Sequence, residues 1–115
     1  MKAEIRRVEG PDELNEQVPF SVSLERQLPG PGRPDYWLAR LDRPLIVLNH
    51  GRPAQIRWVV LASHFRGQTI SPTAGDIAVG LAYVLDETQL ELAALDMSKC
   101  LYVAIADACI QPTAG

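Results

Sequence analysis

The chain has 115 residues, the size of one ordinary domain with a single core, and it reads as one unit over 1–115. Hydrophobic residues make up 47% of it and charged residues 22%, the balance of a chain that folds rather than one that stays disordered. A net charge of -3 gives no electrostatic attraction to a phosphate backbone or an anionic lipid surface, so nucleic acid and membrane are not expected partners.

The opening residues, Met1-Lys2-Ala3-Glu4-Ile5-Arg6-Arg7, lack the apolar run of a secretory signal. No later segment approaches the roughly 18 apolar residues of a membrane helix. Both points lead to the expectation of a cytoplasmic protein. The two cysteines, Cys100 and Cys109, are too few for a disulfide framework. They lie in an apolar run, where a reduced thiol packs as a small hydrophobe.

In chain order, Lys2 to Val8 alternates weakly between apolar and polar residues, and Gly10-Pro11-Asp12 reads as a turn. Val18 to Glu25 alternates from end to end, which places Val18, Phe20, Val22 and Leu24 on one face of a strand. Pro19 lacks a ladder donor, so this strand is expected at a sheet edge or to begin there; it can pair antiparallel with the first. Leu28-Pro29-Gly30-Pro31-Gly32-Arg33-Pro34 is read as an exposed loop, which either connects strands or offers a polyproline-like segment to a partner.

Asp35 to Leu41 is an aromatic-rich strand, and Leu45-Ile46-Val47-Leu48 another after the break at Asp42-Arg43-Pro44. Asn49 to Pro53 reads as a loop of about five residues leading into Ile56 to Ala62, which is apolar on both faces beyond Arg57. From Ile77 to Leu85 large residues stand at odd positions and small ones at even positions, favouring a strand with Ile77, Val79, Leu81, Tyr83 and Leu85 inward. Thr88-Gln89-Leu90-Glu91 has the form of a helix capping box, which predicts one short helix between Asp86 and Leu95. Cys100 to Ala106 is a last strand, and the tail from Gln111 is expected to fray. The sum is a mainly β domain, an antiparallel β-sandwich or small barrel of about seven strands with one short helix.

Little chemistry is written into this pattern. His50 and His64 stand fourteen residues apart at the two ends of one predicted strand, on the order of 40 Å, too far to share a site within one chain. Each is followed two residues later by an arginine, so His50 with Arg52 and His64 with Arg66 form two candidate sites for a small anionic ligand. No short-spaced His, Cys or carboxylate pattern predicts a metal, and no cofactor is implied. Cys100 beside a histidine would make a nucleophile pair, but an apolar setting raises a thiol pKa and leaves it inert. Asp107 interrupts an apolar run; it is either buried against a partner or ends the strand in solvent. Tyr36, Trp37 and Trp58 either fill the core or form an aromatic interface.

Two functions are compatible with this reading. The first is a non-catalytic protein that acts by binding or self-assembly, a homo-oligomer or the partner of another protein, because so small a domain has few places to hide strands apolar on both faces. The second is a small enzyme or ligand-binding protein whose pocket uses His, Arg or Asp near strand ends.

Overall fold

A computed structural model describes residues 1–10, 12–30, 33–65, 67–85, 87–91 and 96–112. Six strands follow one another along the chain: β1 (Lys2–Glu9), β2 (Phe20–Gly30), β3 (Arg33–Asn49), β4 (Arg52–Ser63), β5 (Gly75–Val84) and β6 (Cys100–Gln111). Each pairs antiparallel with the next, and β6 pairs back onto β1 from Lys2↔Gln111 to Glu9↔Ile105. The sheet thereby closes into a barrel in simple meander order. The segments 35–41 and 45–48, expected as separate strands, are two halves of β3, whose register with β4 slips between Arg40 and Leu45 around Pro44.

The strict alternation of the sequence becomes an inside and an outside. Phe20, Val22 and Leu24 of β2, Val59 and Leu61 of β4, and Val79, Leu81 and Tyr83 of β5 point inward and are buried. Between them stand small residues, Ala3 on β1 and Ala104, Ala106 and Ala108 on β6, with Ile5, Val8 and Ile110 completing these two strands' share of the core. Large side chains alternate with alanines, and that mixture fills a barrel of only six strands. The interior is therefore a packed apolar core. Leu85, expected inward, falls beyond the end of β5 and is 40% exposed.

Two irregularities change which residues face out. In β1 the register with β6 slips between Ile5 and Arg7, so Ile5 and Val8 are both buried while Arg6 and Arg7 stand side by side outside. This β-bulge explains the weak alternation of the segment, since one extra residue flips the pleat. In β2 a slip between Leu24 and Arg26 ends the inward run and turns Leu28 to the outer surface. There Leu28, Leu38, Val60, Ala82 and Val84 form a second buried cluster, with Tyr36, Trp58, Leu90 and Cys100 packed against it. Leu90 belongs to the crossover between β5 and β6, and its carbonyl accepts a hydrogen bond from Arg26 Nη2. The crossover thus covers one outer face of the barrel.

Several local expectations are corrected. The proline-glycine segment is not all loop: β2 runs to Gly30 and β3 starts at Arg33, with Leu28↔Tyr36 and Gly30↔Arg33 in register. Prolines are tolerated at this far end of a hairpin because a missing N–H costs nothing where none is needed for the ladder. Pro31 and Gly32 lie outside the described residues. Of the helix predicted between Asp86 and Leu95, Glu87–Glu91 forms a 3-10 turn and residues 86 and 92–95 lie outside the described residues; a second 3-10 turn, Met97–Lys99, precedes β6. The turn read at Gly10-Pro11-Asp12 leads instead into a one-turn helix, α1 (Asp12–Asn15). The strand expected from Val18 begins at Phe20, after a cis Val18-Pro19 bond, and has no free edge because the barrel is closed. The five-residue loop after Leu48 is a two-residue turn, His50-Gly51, with Asn49↔Arg52 in register. Both turn residues have positive φ, 53° and 75°, as the twist of a tight hairpin demands.

The segment carrying α1 closes the end of the barrel by a device the sequence does not announce. β2 pairs with β1 only from Ser23↔Lys2 to Phe20↔Ile5, and with β3 no further than Val22↔Leu41, so both neighbours outrun it. Two side-chain amides take its place. Asn15 accepts from Val8 N–H at 3.0 Å and donates to Val8 C=O at 2.6 Å. Gln17 does the same for Ile46, accepting and donating at 2.9 Å. Arg43 Nη2 donates to the Gln17 and Pro19 carbonyls, and Leu14, fully buried, enters the core. A carboxylate can accept but not donate, so Asn15→Asp should leave the part-buried Val8 C=O unpaired and cost about 1–3 kcal/mol of stability in urea denaturation. An unchanged midpoint would show that the bridge contributes nothing.

Candidate functional site

The residues singled out from the sequence are scattered. His50 and Arg52 lie, exposed, in and beside the turn between β3 and β4. His64 lies at the far end of β4, its N–H bonded to the Ala78 carbonyl at 2.9 Å and its ring edge-on to Phe65 at 4.7 Å. The twelve residues of β4 separate the two histidines, so they do not share a site within the chain. Arg66 lies outside the described residues. Trp37 packs half-buried against the inner core, and Tyr36 and Trp58 against the outer cluster. Asp107 does not end its strand; it points out of the barrel and pairs with Arg7 at 3.1 Å. Cys100 and Cys109 are both free thiols and both half-buried rather than fully packed in the core.

Three surface features remain. The first is the ribbon formed by the end of β3 and the start of β4. β3 has no β2 neighbour beyond Leu41, and β4 pairs with β5 only from Val59 onward, so residues 45–56 pair mainly with each other. Leu45, Val47 and Ile56 turn into the core, whereas Ile46 and Leu48 turn outward, 50% and 55% exposed. Gln17 binds both backbone groups of Ile46, so those groups point away from β4, and so do those of Leu48 two residues on. Arg43, Arg52 and Arg57 are exposed in this stretch of chain, and Asp42 is the sole carboxylate between positions 42 and 57.

The second feature is a groove of about 460 Å³ over β1, β5 and β6, lined by Arg6, Asp76, Asp107, Gln68, Phe65 and the strand residues 77, 78 and 108. The bulge in β1 makes it possible, by placing both arginines outward. Arg6 pairs with Glu4 at 2.8 Å and Asp76 at 3.3 Å, and Arg7 with Asp107 at 3.1 Å and Glu9 at 3.6 Å. The bond to Glu4, aided by nearby Cys109, raises the Arg6 pKa further. Four carboxylates thus pair with two guanidinium groups on this side of the barrel, of which Asp76, Asp107 and Arg6 line the groove together with Phe65, 56% exposed. Such solvated pairs are each worth little to stability, which leaves them open to exchange.

The third feature is a polar groove of about 640 Å³ over β1, β2 and β3, where Lys2, Arg40, Ser21 and Ser23 face Asp42 and Gln111. Ser21 N–H donates to Asp42 Oδ1 at 3.4 Å, a long bond. Arg40 is drawn to Glu25 at 3.6 Å.

No family model, curated protein or solved structure matches this chain. What the surface can do therefore rests on its own geometry. Among the described residues, no group of three His, Cys, Asp or Glu side chains is placed to hold a metal ion. Ser63 and the hydroxyl-bearing Tyr83 are buried among them. The grooves hold solvated charges, and solvent screening blunts the electrostatic and proton-transfer chemistry that a closed, dry site strengthens.

One carboxylate is tuned, away from both grooves. Asp96 Oδ1 accepts from Ser98 Oγ at 2.6 Å and from Ser98 N–H at 3.0 Å, and these bonds lower its pKa. Because the folded-state value is the lower one, this contribution to stability is present above the unfolded value and lost as pH falls through the folded one. Ser98→Ala should move the Asp96 titration up toward the usual carboxylate range in a carboxyl-detected NMR experiment. An unmoved titration would contradict the assignment of cause.

Sequence reading missed the outward ribbon and the paired arginines. The ribbon had a signal: Leu45-Ile46-Val47-Leu48 is apolar at four successive positions, so whichever residues fill the core, two must point elsewhere. The arginine pair had none, because a bulge is a property of pairing with a distant strand.

Proposed function

We propose that this protein acts by binding polypeptide through the outer face of the β3–β4 ribbon, in its simplest form by assembling with itself, and that it carries no chemistry of its own. The observation behind this reading is the pair Ile46 and Leu48, half-exposed on a two-stranded ribbon in a segment that also carries the exposed Arg43, Arg52 and Arg57. Exposed apolar side chains in the company of arginine are the composition of protein interfaces. Tyr36, Trp37 and Trp58, the aromatic candidates, are half-buried against the two cores and support the scaffold of this ribbon rather than its contact face. A location in the cytoplasm accords with two free thiols. No helix among the described residues is long and apolar enough to cross a membrane.

The second reading, a small-ligand site, is supported by the groove beside Arg6, whose volume falls within the roughly 300–1,000 Å³ of ligand pockets. Native mass spectrometry separates the two. An assembly of bare chains supports binding through the ribbon, and a monomer carrying a reproducible extra mass supports the pocket.

A further inference from the structure

We propose that the occupant of the β3–β4 ribbon is a second copy of this chain, which it meets head to tail at the groove beside Arg6. The inference rests on the reading of the ribbon as the binding face, and it adds the partner and the place where the partner is touched.

Charge carries the first part of the argument. The ribbon presents three exposed arginines against one aspartate. The groove presents Asp76 and Asp107 against Arg6 among its described lining residues. Opposed patches of this kind steer encounter and fix orientation. Asp76 is 81% exposed on its side chain and holds Arg6 at a loose 3.3 Å, so an arginine of an incoming copy can exchange into that pair without a buried contact being broken. The apolar parts also correspond. Ile46 and Leu48 find in Phe65, 56% exposed at the groove's rim, a large hydrophobic surface beside the charges.

A symmetric contact of ribbon with ribbon is disfavoured by the same residues. It would bring the arginines of both copies together, and like charges across an interface cost affinity. Strand-to-strand pairing is also obstructed on both edges, because Gln17 occupies the backbone of Ile46 and Pro53 on the other edge has no N–H. The ribbon lies where β3 turns into β4, and the groove opens at the opposite end of β4, where the chain enters β5. A contact between the two ends leaves a free ribbon on one copy and a free groove on the other. It therefore continues into rings or chains rather than stopping at a symmetric dimer.

Complementation between two variants tests this arrangement. Leu48→Glu removes the ribbon and keeps the groove, and Asp76→Arg removes the groove and keeps the ribbon. Both sites are exposed, so both variants should melt as the parent does. In sedimentation or light scattering at micromolar concentration, the parent should assemble, and added salt should weaken it. Each variant alone should be monomeric, with association weakened about tenfold or more. An equal mixture of the two should form one-to-one dimers, because one intact ribbon meets one intact groove. If Asp76→Arg assembles like the parent, the groove is not the partner surface, while the ribbon reading stands. If Leu48→Glu assembles like the parent, the ribbon reading falls as well. A mixture that stays monomeric overturns the head-to-tail contact in favour of a symmetric one, and a monomeric parent overturns self-association altogether.

Discussion

Leu61→Ala should lower the stability of this protein by about 3 kcal/mol, seen as a fall in the urea midpoint with little change in slope. Leu61 is fully buried at the centre of β4, in register with Trp37 on one side and Leu81 on the other. The barrel is narrow and closely packed, and several of its inward residues are alanines, so neighbouring side chains have little length with which to close a void. Against a total stability of roughly 5–15 kcal/mol, that loss is large, and the melting temperature should fall by about 10 °C. Leu48→Ala, the same chemical change on the outer face, should stay within about 0.5 kcal/mol of the parent. Equal losses at the two positions would mean that the inside and outside of β3 and β4 have been assigned wrongly.

The opposite pattern is expected for association. Leu48→Glu should leave the melting temperature within experimental error of the parent and reduce self-association about tenfold or more, equivalent to about 1.4 kcal/mol. A carboxylate in the centre of an apolar contact must be desolvated to bind, whereas on the free ribbon it stays in water. The glutamate also adds a negative charge to a segment that carries three exposed arginines, and so lowers the positive charge offered to an acidic partner. Size-exclusion chromatography with light scattering over a concentration series measures the effect. Assembly unchanged from the parent would remove the ribbon from the interface.

These two leucines show what the sequence could and could not convey. The alternation at Phe20, Val22 and Leu24 and at Ile77, Val79 and Leu81 was legible because a strand's pleat has a fixed period of two, and each of those residues is buried inside the barrel. The mainly β class followed from the number of such segments. Closure was not legible, because the contact of β1 with β6 joins the two ends of the chain and leaves no local trace. Nor was the bulge at Arg6, which decides that two adjacent arginines share one face. The bridging amides of Asn15 and Gln17 were hidden for a related reason: an amide side chain looks the same in sequence whether it is solvated or stands in for a missing strand. Between Asp86 and Leu95 local propensity pointed to a helix. The crossover instead lays Leu90 on the outer cluster and its carbonyl against Arg26, and tertiary contact outweighs a weak local preference over so short a segment.

The candidate site was less legible than the fold. His50, Arg52 and His64 were chosen as residue types near turns, and the barrel holds the first two at one end of β4 and the third at the other. The ribbon and the groove depend on which side of a strand a residue takes after a slip in register, and that is settled by partners tens of residues away. Phe65 and Asp76 share one groove only because β4 and β5 meet at that end of the barrel.

The most direct test of the central claim is native mass spectrometry of the parent protein beside Leu48→Glu at the same concentration. The account predicts multiples of the bare 12.6 kDa chain for the parent and the single chain for the variant. A parent that flies as a monomer, with or without a reproducible added mass, would contradict it.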